Sequence, residues 1–518
     1  MPVGTVAKGL SMEHQNQAPT ADSADVVVVG FGGSGAAAAI EAHDRGARVL
    51  VVEKASEEHH SPTTALLAGG AMFGTDVDQT HTYLAACAGN LIPSEVCRSW
   101  AEEAAVLRDW IDGLAPEAFR MAPPKPSAEF PHLPGAAAIE SSFGEFTSAD
   151  GEWSKGSGAH LFDALRRAVQ RRGIEVRYGA RAQQLISTDG RIQGIVVDTE
   201  TGPHELHAHR AVVLATGGFE FDDELKRQYL TGGDQVHFYG SRYATGDGIR
   251  MAQAVGADLW HMSNMAGRGV GHFVDTEGRV VNAIMLLDLK WVGLNDPVGY
   301  IITDRDGHRF ADESVQAKLG HSFYYEMLHY DAEAGVFPRI PSYWIFDQRR
   351  FEAGPLTIPR YGSSGAAGYA WSDDNSHELD KGWIHRGTTV EEVAAAAGIA
   401  DPSAAADEVA RYNRACAGAK DPYRSATMDM TPLDSPPYYC VKLWPGGTNT
   451  TGGPRRDATG RVVHAFGHLI DGLYACGENG SIIGERYPGL YAYYSEVLSS
   501  GRIAGRNAAR KRCPTAEH

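Results

Sequence analysis

Past a polar leader, Met1–Thr20, the first strong pattern is the unbroken β-branched run Val26-Val27-Val28-Val29. A strand that is apolar at every position predicts burial on both faces, as in a parallel sheet. Gly30-Phe31-Gly32-Gly33-Ser34-Gly35 follows, then an alanine-rich stretch that predicts a helix to about Arg45. A second buried strand is expected at Val49–Val52, ending at Glu53. The alternation returns between Gly173 and Gly218, with an amphipathic helix before Gly173 and strands near Glu175–Tyr178, Arg191–Asp198 and Ala211–Ala215. It returns again from Leu473 onward. Between Met262 and about Pro432 it gives way to frequent aromatics and prolines, and the alanine-rich run from Val393 to Ala406 reads as two surface helices, the second starting after Pro402. The expected organisation is an α/β chain. Residues 1–22 form a disordered leader, 23–261 and 433–518 one discontinuous domain, and 262–432 an inserted α+β cap.

The glycines in the first unit each have a mechanical reason. Gly30 permits the tight turn, Gly32 lets backbone approach a pyrophosphate, and Gly35 lets helix and strand pack closely. The helix start presents N–H groups and partial positive charge to phosphates. Glu53 lies eighteen residues after Gly35 and is suited to the hydroxyls of an unphosphorylated adenosine ribose. Strand, glycines, helix, strand and acid in that order indicate a dinucleotide site. Two distant segments also close strands, Ala215-Thr216-Gly217-Gly218 and Gly472–Glu478. An NAD site is completed within one contiguous stretch, whereas a flavin far from its adenine needs such returning segments. The pattern therefore favours FAD.

Composition narrows the classes. The 518 residues exceed one typical domain, 43% are hydrophobic, and the 60 glycines suit close backbone approach to a large cofactor. A net charge of −18 argues against nucleic acid or an anionic membrane surface as the main partner. No apolar stretch is long enough to span a bilayer. The six cysteines include no CxxC pair, so neither a metal site nor a disulfide framework is expected, and a cytoplasmic location is the simplest.

Taken together, these pieces resemble the fumarate reductase/succinate dehydrogenase flavoprotein superfamily over nearly the whole chain. The resemblance is carried by Gly30–Glu53, Thr63–Gly70, Ala215–Gly218, Ala244–Gly248, Asp306–Glu313, Cys476-Gly477-Glu478 and Gly501–Arg506. It implies a glutathione-reductase-type Rossmann FAD domain with an inserted catalytic cap. Under it, Glu53 holds the ribose, Gly69 and Gly70 lie along the pyrophosphate–flavin side, and Glu478 bonds the ribityl chain. Tyr493 and Tyr494 offer backbone N–H groups to the flavin N1/O2 edge. The full expected cofactor set is Gly30, Gly32, Gly33, Ser34, Gly35, Glu53, Lys54, Thr64, Gly69, Gly70, Ala182, Thr216, Gly217, Asp247, Gly477, Glu478, Tyr493 and Tyr494. Some relatives attach FAD through a histidine in the stretch matching Ser61–Gly70. None occurs there, so non-covalent FAD is expected.

The resemblance also bears on the reaction. The dicarboxylate enzymes carry a catalytic arginine eight positions after the arginine of an Arg-Phe motif; here Arg309 leads to Ala317. The ketosteroid dehydrogenases carry a tyrosine base seven or eight positions on, where this chain has Gln316 and Ala317. Glu485-Arg486-Tyr487-Pro488-Gly489 resembles the Tyr-Pro-Gly of the ketosteroid 1-dehydrogenases, which implies that Tyr487 holds a ketone oxygen. Their glycine four positions later is Tyr491 here, so a different backbone contact and a narrower pocket are expected. Candidate bases are Lys318, His321, Tyr324 and Tyr325, with His321 and Tyr325 on one face if the segment is helical. Arg486 either pairs with a substrate carboxylate, or faces solvent or partners Glu485. The expected activity is FAD-dependent desaturation α,β to a ketone in a cyclic substrate, a 3-ketosteroid or a smaller ketone or keto acid, with an external electron acceptor. Oligomeric state is left open, a homo-oligomer included. The rivals are a fumarate- or urocanate-type ene-reductase and an electron-relay subunit.

Overall fold

The computed structural model describes residues 22–148, 151–287, 298–313, 321–358, 368–423 and 430–511. The expected leader lies outside these residues except for Asp22, as do Gln316, Ala317 and Lys318.

The β-branched run forms the strand Ser23–Val29 at the centre of the first sheet. It pairs in parallel with Val49–Val52 on one side and with the end of Gly202–Leu214 on the other, in the registers Val26↔Val49 and Val29↔Leu214. Glu175–Arg177 and Leu469–Ala475 extend the parallel set outward. Alternate valines serve opposite faces. Val26 and Val28 pack with helices Gly33–Asp44 and Ala492–Ala508, while Val27 and Val29 pack with Leu50, Val212, Leu214 and Met251. Burial of such a side chain contributes about 1.5–3 kcal/mol, so both faces must be covered. The last helix lies directly on the first. A Cβ on Gly501 would come within 2.4 Å of the Ser34 carbonyl oxygen, and one on Gly505 within 2.1 Å of that of Ala38.

A second, antiparallel sheet runs in the order Val280–Ile284, Met265–Val274, Tyr438–Thr450, Ser342–Asp347, Tyr300–Thr303. Its long middle strand comes from beyond the Pro432 boundary suggested by texture. Periodicity cannot reveal which sheet a buried strand will join, so that boundary was not legible. One face of this sheet carries Phe273, Trp344, Phe346, Trp371 and Trp383, the other the helices Val390–Ala397 and Pro402–Cys416.

Two features were not anticipated. Arg181–Thr188 is a further strand on Arg191–Thr199, and Gly70–Gly74 pairs with Ile139–Thr147 in a small third sheet. The segment after residue 320 also differs from expectation. His321 sits in a turn, and the helix covers only Tyr324–Met327, so His321 and Tyr325 do not share a helical face.

Candidate active site

The first strand ends at Gly30, whose φ of +101° is open only to glycine without strain. A Cβ there would meet the Ala215 carbonyl oxygen at 2.4 Å, and one on Gly35 would meet the Gly30 oxygen at 2.0 Å. Gly32 is different. Its nearest neighbour would be 3.9 Å away, so protein packing does not demand a glycine there, and the open space above it suits a ligand. Gly32 also caps the helix Gly33–Asp44 without any side-chain bond.

Gly30 and Gly32 line a cleft open to solvent. Along its walls the structure brings together twelve of the eighteen expected cofactor residues: Gly30, Gly32, Gly33, Ser34, Glu53, Lys54, Thr64, Ala182, Thr216, Gly217, Asp247 and Glu478. Glu53 accepts the N–H of Phe31 at 2.9 Å and of Ala55 at 2.8 Å, which fixes its carboxylate at the cleft. Lys54 pairs with Asp247 at 2.8 Å, and Arg181 approaches the other oxygen of Asp247 at 2.9 Å. Burial opposes the charge on Asp247, but these two cations hold its carboxyl below the usual range. Thr216 Oγ1 and His60 Nε2 are buried on the cleft wall without a hydrogen-bond partner among the described residues. An elongated ligand with phosphates, hydroxyls and a polar ring edge fits this donor set. His60 went unnoticed in the sequence because only the fold carries it against Glu53, 3.8 Å away.

Gly35, Gly69, Gly70, Gly477, Tyr493 and Tyr494 stand behind this wall instead. The Gly69 N–H donates to the Tyr494 hydroxyl at 2.9 Å, and that hydroxyl donates to the Thr64 carbonyl at 3.0 Å. Gly477 donates to Ser500 Oγ at 2.9 Å. The two backbone N–H groups expected to face a flavin edge are engaged within the protein. That of Tyr493 donates to the Tyr487 hydroxyl at 3.1 Å, and that of Tyr494 to the Tyr491 carbonyl at 3.1 Å. Tyr491 takes φ +62°, the conformation a glycine adopts without strain, so the main chain follows a glycine-like path. Its ring covers Gly70, where a Cβ would lie 2.3 Å from it.

At the inner end of the cleft, Glu478 accepts from Asn449 Nδ2, and Glu220 accepts the N–H of Thr450 and, at 2.9 Å, its hydroxyl. Burial pushes the Glu220 carboxyl up to about 7, and burial plus the neighbouring Glu220 raise that of Glu478 well above its usual range. The Tyr493 hydroxyl donates to the Thr450 carbonyl at 2.8 Å, which joins this acidic group to the Tyr487 turn.

Tyr487 is buried, and its ring stacks on His321 with centroids 3.7 Å apart and planes 21° from parallel. Burial raises the phenol's pKa, opposed by the bond from Tyr493 N–H. His321 Nδ1 lies 3.1 Å from Glu129 Oε2, and its Nε2 lies 2.8 Å from Arg268 Nη2. Glu129 reaches the site because its N–H donates to the Pro488 carbonyl at 3.1 Å, while the Tyr83 hydroxyl donates to the same carbonyl at 2.7 Å. Sequence reasoning missed Glu129 and Arg268, which lie 192 and 53 residues from His321 and carry no local motif.

Two expected catalytic residues are elsewhere. Tyr325 is 47% exposed, with its hydroxyl 3.5 Å from the Glu485 carbonyl. Arg486 is half exposed, donates to the Ala86 carbonyl at 3.1 Å and pairs with Glu485 at 3.4 Å. Tyr324 is buried in the core beside Met265 and Phe238. Arg309 of the Arg-Phe motif is fully buried between Glu313, at 2.6 Å, and Asp421, at 3.0 Å, and serves as a structural tie.

A parallel sheet with this glycine turn, an acidic second-strand end and a long cleft reaching an antiparallel sheet defines an FAD-dependent oxidoreductase. The chain belongs to the FAD binding domain family, whose pattern matches residues 25–489. It is 27% identical to a 3-oxosteroid 1-dehydrogenase of Mycobacterium tuberculosis, over 95% of this chain and 99% of that one. It is 28% identical to a 4-oxocyclohexanecarboxylate 2-dehydrogenase of Sinomonas cyclohexanicum, over 68% of this chain and 61% of that one. The 3-ketosteroid Δ1-dehydrogenase structure from Sterolibacterium denitrificans superposes with a TM-score of 0.78 at 22% identity, over 94% of this chain and 99% of that one. The fold expected from the motifs is therefore the one observed, and the similar proteins include ketosteroid dehydrogenases. Among the described residues, no helix is long and apolar enough to cross a membrane.

Proposed function

We propose that this FAD-dependent dehydrogenase introduces a C=C bond α,β to the ketone of a cyclic substrate. The observation that carries the reading is the Tyr487 hydroxyl. Its oxygen accepts the Tyr493 N–H, and its own hydrogen remains to be given to a ketone oxygen. A donor polarised in this way stabilises a developing enolate and acidifies the α-carbon. When bound, the flavin supplies the two-electron acceptor for the β-hydride.

The cleft residues support a non-covalent arrangement, with Glu53 at the ribose, Gly32 and the start of helix Gly33–Asp44 at the phosphates, and Glu478 towards the flavin end. The relatives include a 3-oxosteroid 1-dehydrogenase and a 4-oxocyclohexanecarboxylate 2-dehydrogenase, which supports a cyclic ketone as substrate class. An external acceptor reoxidises the flavin.

The test is anaerobic mixing of holoenzyme with a saturated cyclic ketone. Bleaching of the flavin's visible absorbance, with the enone formed in equal amount, is expected. Flavin that stays oxidised with every cyclic ketone, steroid and keto acid tried, yet is reoxidised by fumarate-like acids after chemical reduction, would replace this reading with ene-reduction.

A further inference from the structure

We propose that Glu129, His321 and Arg268 form a substrate-gated base: an anionic group on the substrate draws Arg268 off His321 Nε2, and the freed nitrogen takes the α-proton. The inference rests on the ketone-desaturation reading and deepens it, naming the base and a substrate class, the cyclic keto acids.

The hydrogen-bond chemistry fixes the resting state. A carboxylate only accepts, so His321 Nδ1, 3.1 Å from Glu129 Oε2, carries the ring hydrogen. A guanidinium only donates, so Nε2, 2.8 Å from Arg268 Nη2, presents its lone pair. The imidazole is thus neutral and correctly turned, with a carboxylate behind it ready to stabilise the cation it becomes. The main-chain N–H of His321 also reaches Glu129 Oε1 at 3.4 Å, and the side chains of both residues are over nine-tenths buried. The stack on Tyr487 holds the ring beside the ketone donor.

In this state the lone pair is occupied and cannot take a proton. Arg268 is therefore a lock as well as a neighbour. A guanidinium bound to a neutral imidazole nitrogen makes a weaker pair than one bound to a carboxylate, where both partners are charged and two bonds form side by side. A substrate carboxylate therefore outcompetes Nε2 for Arg268, which leaves the base open only when the acid is in place.

The step then balances. The α-C–H bond breaks, its proton goes to Nε2, and its electron pair passes into an enolate held by the Tyr487 hydroxyl. The C=C bond forms as hydride leaves the β-carbon for the oxidised flavin, the proposal's oxidant. The proton on His321 returns to water after the product departs.

Among the described residues, the charged and titratable groups facing His321 are Glu129 on the 122–138 segment, Arg268 on the strand Met265–Val274, and Tyr487 on the C-terminal turn. Burial and then Arg268 hold the imidazole below its ordinary range, against the opposing pull of Glu129. Removing each partner must therefore shift the acid limb of the rate profile in opposite directions.

The experiment is anaerobic stopped-flow reduction of the holoenzyme by 4-oxocyclohexanecarboxylate and by cyclohexanone, across pH. His321→Gln should slow flavin reduction on the order of 100- to 10,000-fold while retaining FAD, and His321→Ala should regain part of its rate with added imidazole. Arg268→Leu should raise KM for the keto acid, speed reduction by cyclohexanone and move the acid limb to higher pH. Glu129→Gln should move that limb to lower pH. A His321→Gln enzyme reduced at a near wild-type rate overturns the base assignment, as does His321→Ala that imidazole cannot rescue. Arg268→Leu that slows both ketones alike, with an unmoved limb, overturns the gate. A wild-type enzyme that neither ketone reduces fails at the earlier step, the desaturation reading, before any variant is made.

Discussion

The Tyr493 backbone N–H donates to the Tyr487 hydroxyl at 3.1 Å, so one residue of the last helix tunes the side chain of the turn before it. Tyr487→Phe keeps the ring and its stack on His321 but removes both the acceptor for that N–H and the proposed donor to a ketone. Loss of one such donor costs on the order of 100- to 1,000-fold in turnover. That fall is expected in the rate of flavin reduction by a cyclic ketone, with the FAD spectrum unchanged. A near-normal rate would make Tyr487 a packing residue.

Glu53 uses one carboxylate oxygen for Phe31 N–H and the other for Ala55 N–H, which leaves lone pairs on each for ribose hydroxyls. Glu53→Ala should weaken FAD binding by the loss of charge-assisted bonds, each worth about 1.5–3 kcal/mol. Titration of apoprotein with FAD measures this. Unchanged affinity would remove Glu53 from the cofactor set.

The histidine nearest the expected attachment stretch is His60, and its Nε2 lies 3.8 Å from Glu53, the residue proposed to hold the ribose. The proposed flavin end lies towards Glu478, on the same cleft. Acid precipitation should leave FAD in the supernatant and a colourless pellet. A yellow pellet would establish a covalent link.

Glu220 offers a stability test with a definite sign. Its folded-state value of about 7 lies above the ordinary 4.5, and burial is the cause. The fold favours the protonated acid, so this group's contribution is full below about pH 4.5 and is lost as pH rises through about 7. Glu220 and Glu478 titrate together, so the slope belongs to the pair. Glu220→Gln should flatten the fall in Tm across that window. An unaltered slope would assign it to other groups.

Arg486→Leu should be nearly silent. The side chain is half exposed and bonds the Ala86 carbonyl, and surface substitutions usually stay within about 0.5 kcal/mol. KM for a keto acid should not change. A large, acid-specific rise would move the carboxylate site from Arg268 to Arg486.

The amino-acid sequence by itself determined the cofactor half of this protein. Val26–Val29, Gly30, Gly35 and Glu53 act on neighbours within one strand–turn–helix–strand unit, and such local steric and hydrogen-bond demands leave a readable pattern. Even the unusual Tyr491 was legible as a departure, although not that its backbone would keep φ at +62°. At the proposed catalytic end, Tyr487 and His321 were candidates from the sequence, and only the tertiary structure brought Glu129 and Arg268 to them. Glu129, Arg268, His321 and Tyr487 come from four separate segments, one of them carried there by the Tyr83–Pro488 and Glu129–Pro488 hydrogen bonds. Residues so placed have no spacing rule to obey, because the constraint on them is distance in space. For the same reason Tyr325, close to His321 in the chain, could point to the surface, while Glu129, 192 residues away, became its partner.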